Sequence, residues 1–334
     1  MRDEPFFLTQ LLGSNKVYSP ATTIKWRQIT TSGKMSSIGL RDDPARQIDY
    51  KNTAEDITVT PPQIFERDGI ESTEALTNSF NLNELANLAS GSDISRSFNY
   101  SYGVKLQGLR DRMKRRIEYM YSQLLLTGKI SFSTTERTFE QDYSTVISGT
   151  LAVNSGTDPL QLIRRECQAF SQALGMWPDV ILMTPYLADA IMIHAKTEKY
   201  LNKNTYDMMR VTPRYQNPGV YYVTRVPALG IPDIYVYSST YVNDSNVATE
   251  YIPESSSTSG KMILLNTSQF ALGYAAVIDF ELKPDGSPII TDVIVKERIP
   301  EASEGHAKTL SLLSYPLPIL YNANACKTYT TTIS

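Results

Sequence analysis

Apolar residues recur at three- and four-residue intervals in three stretches of this chain, and those intervals predict helices. From Tyr102 to Leu126 the stripe is Leu106, Leu109, Met113, Ile117, Met120 and Leu124. At roughly 1.5 Å per residue this span makes a rod of about 35 Å, stopping near Gly128. A second helix opens with Asp158 as N-cap and Pro159 at the first helical position. Leu160, Ile163, Cys167, Phe170 and Leu174 trace its apolar face, and Gly175 ends it. PDVILMTP then reads as a short, wholly apolar strand, and Thr184 with Pro185 starts a third helix carrying Leu187, Ile191 and His194 on its apolar face. Helix, buried strand, helix indicates a sheet covered by helices, to which VYYVTRV, DIYVY and KMILLN add strands.

Elsewhere the pattern is extended. Residues 1 to 75 alternate short β-prone pieces, Thr22 to Ile29 and Asp56 to Thr60, with polar turns, and read as an extended arm. Between the two pieces lie more than twenty residues with little to build a core, either a surface loop or a segment ordered by something outside the chain. Pro61 and Pro62 end the second piece, and STTERTFEQDYST is a polar, strand-like segment. AAVIDFELKPDGSPIITDVIVKERI reads as a long hairpin turning at Pro284, Asp285 and Gly286. Its apolar positions, Val277, Phe280 and Leu282 on one arm and Ile290, Val293 and Val295 on the other, are expected to cover the stripe through Met113, Ile117 and Met120. The return through LSLLSYPLPILYNANA is extended and, with Pro316 and Pro318, an edge.

Composition narrows the function classes. With 32 Lys plus Arg against 35 Asp plus Glu the net charge is −3, so no bulk attraction to nucleic acid or membrane is implied. The 334 residues exceed what one core usually organises, so two compact units are expected, the second beginning near Asp158. Tyrosine, 21 against 10 phenylalanines, suits extensive interfaces. Two cysteines, Cys167 and Cys326, make neither a disulfide framework nor a thiolate zinc site. The N-terminal sequence is no signal peptide and no stretch is apolar enough to span a membrane, so a soluble protein made in the cytoplasm is expected.

Candidate chemistry is sparse. His194 reads as a packed core or interface residue and His306 lies in a loop, while Cys167 with His194 lacks an activating signature. No nucleotide-binding, nucleophile-elbow or zinc-protease motif occurs. Asp42 with Asp43 falls in the coreless loop, and Asp279 with Glu281 reads as one solvated side of an alternating strand. Arg110, Arg112, Lys114, Arg115 and Arg116, relieved only by Asp111, read as a basic face opposite the helical stripe. Such a face is either solvated, turned to packaged nucleic acid, or set against a neighbour's acidic patch. A monomeric α/β enzyme using a carboxylate pair or Cys167 is the reading of another class.

The order of these parts resembles the major capsid proteins of tailed bacteriophages, specifically the lambda-like capsid protein E family. TPPQIF after the excursion and PDVILMTPYLADAIM with the helix behind it carry the resemblance, which spans essentially the whole chain. It implies an α+β, Hong Kong 97-type capsid fold, shared with encapsulin compartments, an alternative shell of the same fold. Residues 1–23 would be the N-arm, 24–60 the extended loop, 61–155 with 276–300 the peripheral domain containing the spine helix, and 156–275 with 301–334 the axial domain containing the central sheet. Within the loop, Lys34, Met35, Arg41, Asp42, Asp43 and Arg46 would be intersubunit residues. The resemblance implies no cofactor, metal or catalysis. The implied partners are many copies of the chain as hexamers and pentamers, a separate scaffolding protein in place of a cleaved N-terminal segment, a decoration protein at threefold positions, a portal complex and non-specifically held double-stranded DNA, in a virion assembled in the host cytoplasm. Some relatives crosslink a loop lysine to an asparagine, for which Lys34 with Asn322 or Asn324 could be mistaken; a decoration protein takes that place in lambda-like members.

Overall fold

The computed structural model describes residues 6–29, 54–70, 91–133, 137–143, 149–154, 156–197, 214–217, 219–243, 245–254, 259–298 and 308–333. The chain begins with α1 (Phe7–Leu12), β1 (Lys16–Tyr18), β2 (Ile24–Ile29), β3 (Ala54–Val59) and β4 (Ile64–Ile70). The long helix α2 (Gly91–Thr127) follows, then β5 (Lys129–Ser133), β6 (Thr138–Asp142) and β7 (Gly149–Val153). Next come α3 (Pro159–Leu174), β8 (Val180–Met183), α4 (Pro185–Ile193), β9 (Arg214–Asn217), β10 (Val220–Val226) and β11 (Ile231–Tyr237). The remainder is β12 (Thr240–Val242), β13 (Ala248–Glu250), β14 (Ser259–Leu265), β15 (Phe270–Tyr274), β16 (Ile294–Arg298), β17 (Lys308–Ser314), β18 (Pro316–Leu320) and β19 (Cys326–Ile333).

The central sheet runs β7-β19-β14-β8-β11-β10-β9. All four residues of β8 are buried, as a strand flanked on both sides and roofed by helices requires. At the start of α3 the Asp158 carboxylate accepts the Leu160 and Gln161 amides, and Gly175 ends the helix at φ 81°, a conformation that favours glycine. The five expected apolar residues of α3 are all buried. Two three-stranded sheets, β1-β15-β18 and β16-β17-β4, and the ribbons β2-β3, β5-β6 and β12-β13 complete the described strands. β18 is an edge, as its prolines dictate.

Several expectations are corrected. The long helix starts at Gly91, not near Tyr102, because the added residues are mostly polar and leave no periodic stripe. The N-terminal segment is not an extended arm throughout: α1 buries Phe7, Leu8 and Leu12, and six residues are too few for helical periodicity to register. The expected hairpin is a single bridge between Val277 and Ile289, and β16 leaves it to pair antiparallel with β17. Phe280 is 69% exposed, and Leu282 and Ile290 are also exposed. These exposed residues therefore do not cover α2, which packs against α1, β4, β5, β18 and β19, with its stripe buried in the main core. Val277 joins a small separate cluster with Ile294 and Leu313. Val293 does pack against the main core that holds the α2 stripe, and α2 also meets this region directly where the Tyr102 hydroxyl donates to Glu297, which pairs with Lys308.

Tyrosine abundance has an internal cause as well. Tyr121, Tyr143, Tyr237 and Tyr329 are fully buried. Tyr121 donates to the Ala271 carbonyl at 3.0 Å and Tyr143 to the Pro318 carbonyl at 2.6 Å, so rings that fill the core also satisfy backbone acceptors of extended segments.

Candidate assembly surfaces

Three structural elements meet at one carboxylate. Glu118 of α2 is fully buried and accepts the Leu8 amide at 2.7 Å, the Thr9 amide at 2.7 Å, the Thr9 hydroxyl at 2.6 Å and the Tyr237 hydroxyl of β11 at 2.8 Å. Burial pushes its carboxyl above the ordinary range, against the opposing pull of these four donors. Lys114, one turn earlier, lies 5.4 Å from the Phe6 ring centroid. β1 then pairs in parallel with β15, and Lys16 bonds Asp292 at 3.0 Å. Residues 6 to 18 are thus stitched to their own subunit. Glu118 was missed as a functional residue because an isolated acid beside a run of basic residues carries no pattern.

The basic cluster is not one face. At about 100° per residue, Arg110 and Lys114 border one side of the α2 stripe, Arg112 and Arg116 border the other, and only Arg115 lies opposite. Long side chains on such borders lie along neighbouring surface. Arg112 reaches Glu66 of β4 at 3.8 Å, and Arg116 stands 5.6 Å from the Phe132 ring of β5. Arg110 is exposed.

The ribbon β2-β3 is anchored at its base. Ile24, Trp26 and Gln28 point inward, while Lys25, Arg27 and Ile29 are exposed. The Trp26 indole donates to the Leu320 carbonyl at 3.2 Å, Gln28 Nε2 to the Tyr143 carbonyl at 2.6 Å, and the Ile29 amide to the Tyr321 carbonyl at 2.8 Å. Lys34, Met35, Arg41, Asp42, Asp43 and Arg46 lie outside the described residues, as does His306. Asn322 is buried and its side chain accepts the Asn324 amide at 3.0 Å.

Asp279 and Glu281 are not on a strand face. Asp279 begins a turn in which its carboxylate accepts the Glu281 amide at 3.0 Å and the Leu282 amide at 3.4 Å. Lys296 of β16 pairs with both acids, at 3.0 Å from Glu281. Gly286, at φ 69°, lies under the Phe280 ring, where an added Cβ would come within 3.0 Å of it. A stiff turn therefore presents Ile278, Phe280, Leu282 and Ile290 to the outside.

His194 caps α4 and lies off its apolar face, since the helix ends one residue sooner than its hydrophobic run implies. Cys167 and Cys326 are both buried, and burial pushes each thiol up to about 12. Neither is poised as a nucleophile. Among the described residues no cluster of His, Cys, Asp and Glu could hold a metal ion.

Residues 3–331 match the family described as phage major capsid protein E. No curated protein matches the chain. Its fold is similar to a crystal structure assigned to a prophage capsid protein of E. coli CFT073, with TM-score 0.66, 14% identity, and coverage of 99% of this chain and 93% of that one. It is also similar to a phage-related protein of Bordetella bronchiseptica RB50, with TM-score 0.51, 12% identity, and coverage of 97% and 91%. A third similar structure is the capsid of cyanophage P-SCSP1u, with TM-score 0.48, 8% identity, and coverage of 100% and 90%.

Proposed function

The chain belongs to the phage major capsid protein E family, and on that premise we propose how its parts serve the shell. It is a phage capsid protein of the α+β, Hong Kong 97-type fold; copies of it associate into the icosahedral shell, and its place is the virion. The family match over nearly the entire chain carries this reading.

Within it, residues 1–23 serve as N-arm and 24–60 as an extended loop that reaches a neighbouring subunit. Residues 61–155 with 276–300 form the peripheral domain, and 156–275 with 301–334 the axial domain. The anchored base of β2-β3 supports the loop assignment, because a projecting segment transmits load only from a fixed root. Overlapping loops engage several neighbours at once, so modest contacts add through effective concentration. The copies form hexamers and pentamers enclosing double-stranded DNA. A scaffolding protein, a decoration protein at threefold positions and a portal complete the head, assembled in the host cytoplasm. The role is structural rather than enzymatic, which the buried, high-pKa thiols support. Negative-stain imaging and sedimentation of the purified chain test the reading: closed particles are expected, and a stable monomer with turnover would overturn it.

A further inference from the structure

The segment between β15 and β16 carries an apolar surface in the open and holds it rigidly. At the Val277–Ile289 bridge both paired residues turn inward, so by alternation the next residue on each side, Ile278 and Ile290, turns outward. They are 52% and 51% exposed, and Phe280 and Leu282 are exposed further into the turn. The Lys283 amide bonds the Asp279 carbonyl at 2.8 Å and the Gly286 amide the Lys283 carbonyl at 3.0 Å, while the Asp285 carboxylate accepts the Ser287 amide at 3.0 Å. With the Asp279 and Lys296 contacts described above, the backbone that carries Phe280 and Leu282 is fixed before anything docks, which lowers the ordering cost of binding.

Charge shows what this surface does not fit. Residues 277–292 hold Asp279, Glu281, Asp285 and Asp292 against Lys283 alone. The lysines that reach them from β16 and β1, Lys296 and Lys16, are already paired with Asp279, Glu281 and Asp292. A phosphate backbone, which binds by displacing counterions with free cations, therefore finds no basic surface here. The paired acids instead leave an apolar partner little uncompensated charge to meet. Size narrows the partner further. Four half-exposed side chains offer on the order of 400 Å², about half of the roughly 800 Å² per partner that a stable pairwise complex buries. The patch can act only as one anchor within a wider set of contacts, which is how copies of a shell subunit engage one another.

We propose that this turn is an apolar anchor between copies of the chain: Phe280, with Ile278, Leu282 and Ile290, buries against a second copy in the shell. The proposal rests on the shell reading and adds to it the residues that make one of its contacts.

Hydroxyl-radical footprinting of the wild-type chain, as free subunits and as particles separated by sedimentation, tests it. Oxidation of Phe280 and Leu282 should be fast in the subunit and about fivefold to tenfold slower in particles assembled from this chain alone, as for side chains at a contact that excludes water. Phe280→Ser should leave the subunit folded by circular dichroism and raise the concentration at which particles form by about tenfold or more, the scale of a truncated aromatic anchor. The footprint, read on the wild type, decides the matter even where F280S misfolds. Equal oxidation of Phe280 in subunit and particle, protection already complete in the free subunit, or unaltered assembly of folded F280S would each overturn the proposal and leave the shell reading intact. Failure of the wild-type chain to form particles at all would overturn both.

Discussion

The Tyr237 hydroxyl donates to the Glu118 carboxylate at 2.8 Å across 119 positions of sequence, joining the long helix to the central sheet. The two backbone amides of the first N-terminal helix bind the same carboxylate. Removing it strands four donors, two of them buried. Glu118→Ala is expected to destabilise the subunit by at least about 3 kcal/mol, and Tyr237→Phe by only about 1–2 kcal/mol. Urea unfolding of the two variants checks the order, which an equal or reversed effect would contradict.

Ile117 and Phe280 make a matched pair of tests. Ile117 is 2% exposed in the main core, so Ile117→Ala should cost about 2–5 kcal/mol. Phe280 faces outward, and Phe280→Ala should change subunit stability by no more than about 0.5 kcal/mol. Chemical denaturation of unassembled protein reads both.

Lys296 first, through its hydrogen bond, and then the turn amides hold the Asp279 carboxyl below its ordinary range, although burial opposes them. The stabilisation is therefore fully present above the unfolded aspartate value of about 3.9 and is lost as pH falls through the lower folded value. Lys296 is raised by the same pairing, so its share disappears on the alkaline side. Melting temperatures of wild type and Lys296→Met should differ at neutral pH and converge in strong acid; a constant gap would show that the pair is not the cause.

Deleting Ser32 to Asp49 leaves Trp26 and Gln28 in place and should yield a folded, soluble subunit that forms no stable shells. Circular dichroism and particle yield measure the two halves of this expectation separately. Wild-type yield and particle stability from the deletion would refute a neighbour-binding loop.

Exposed Arg110 and, across the helix, Arg115 are the members of the basic cluster to test for DNA contact. Neutralising both should permit shells to form while changing genome retention in a salt-dependent manner. Failure of assembly before packaging assigns them to subunit contacts.

Helix α3 was legible to the residue because cap, proline, stripe and terminal glycine all agree on one answer. α1 and the start of α2 were not: one is too short and the other too polar for periodicity to register. The turn after Val277 misled for a physical reason. Its alternating residues satisfy a hairpin pattern, yet backbone pairing of β16 with β17 wins over pairing with residues 277–282. Glu118 was invisible because its partners, two amides and two hydroxyls, lie more than a hundred positions away in sequence, and sequence patterns do not encode which donors will be near.

β19 lies between β7 and β14, pairing with both. The central sheet therefore cannot close until residue 333 has left the ribosome, however early its other strands emerge. Until then the flanks of β7 and β14 stay open, which exposes the nascent chain to wrong pairing. A prematurely terminated copy stopping before Cys326 can never fill that gap, so an incomplete translation product has no finished sheet with which to enter a particle.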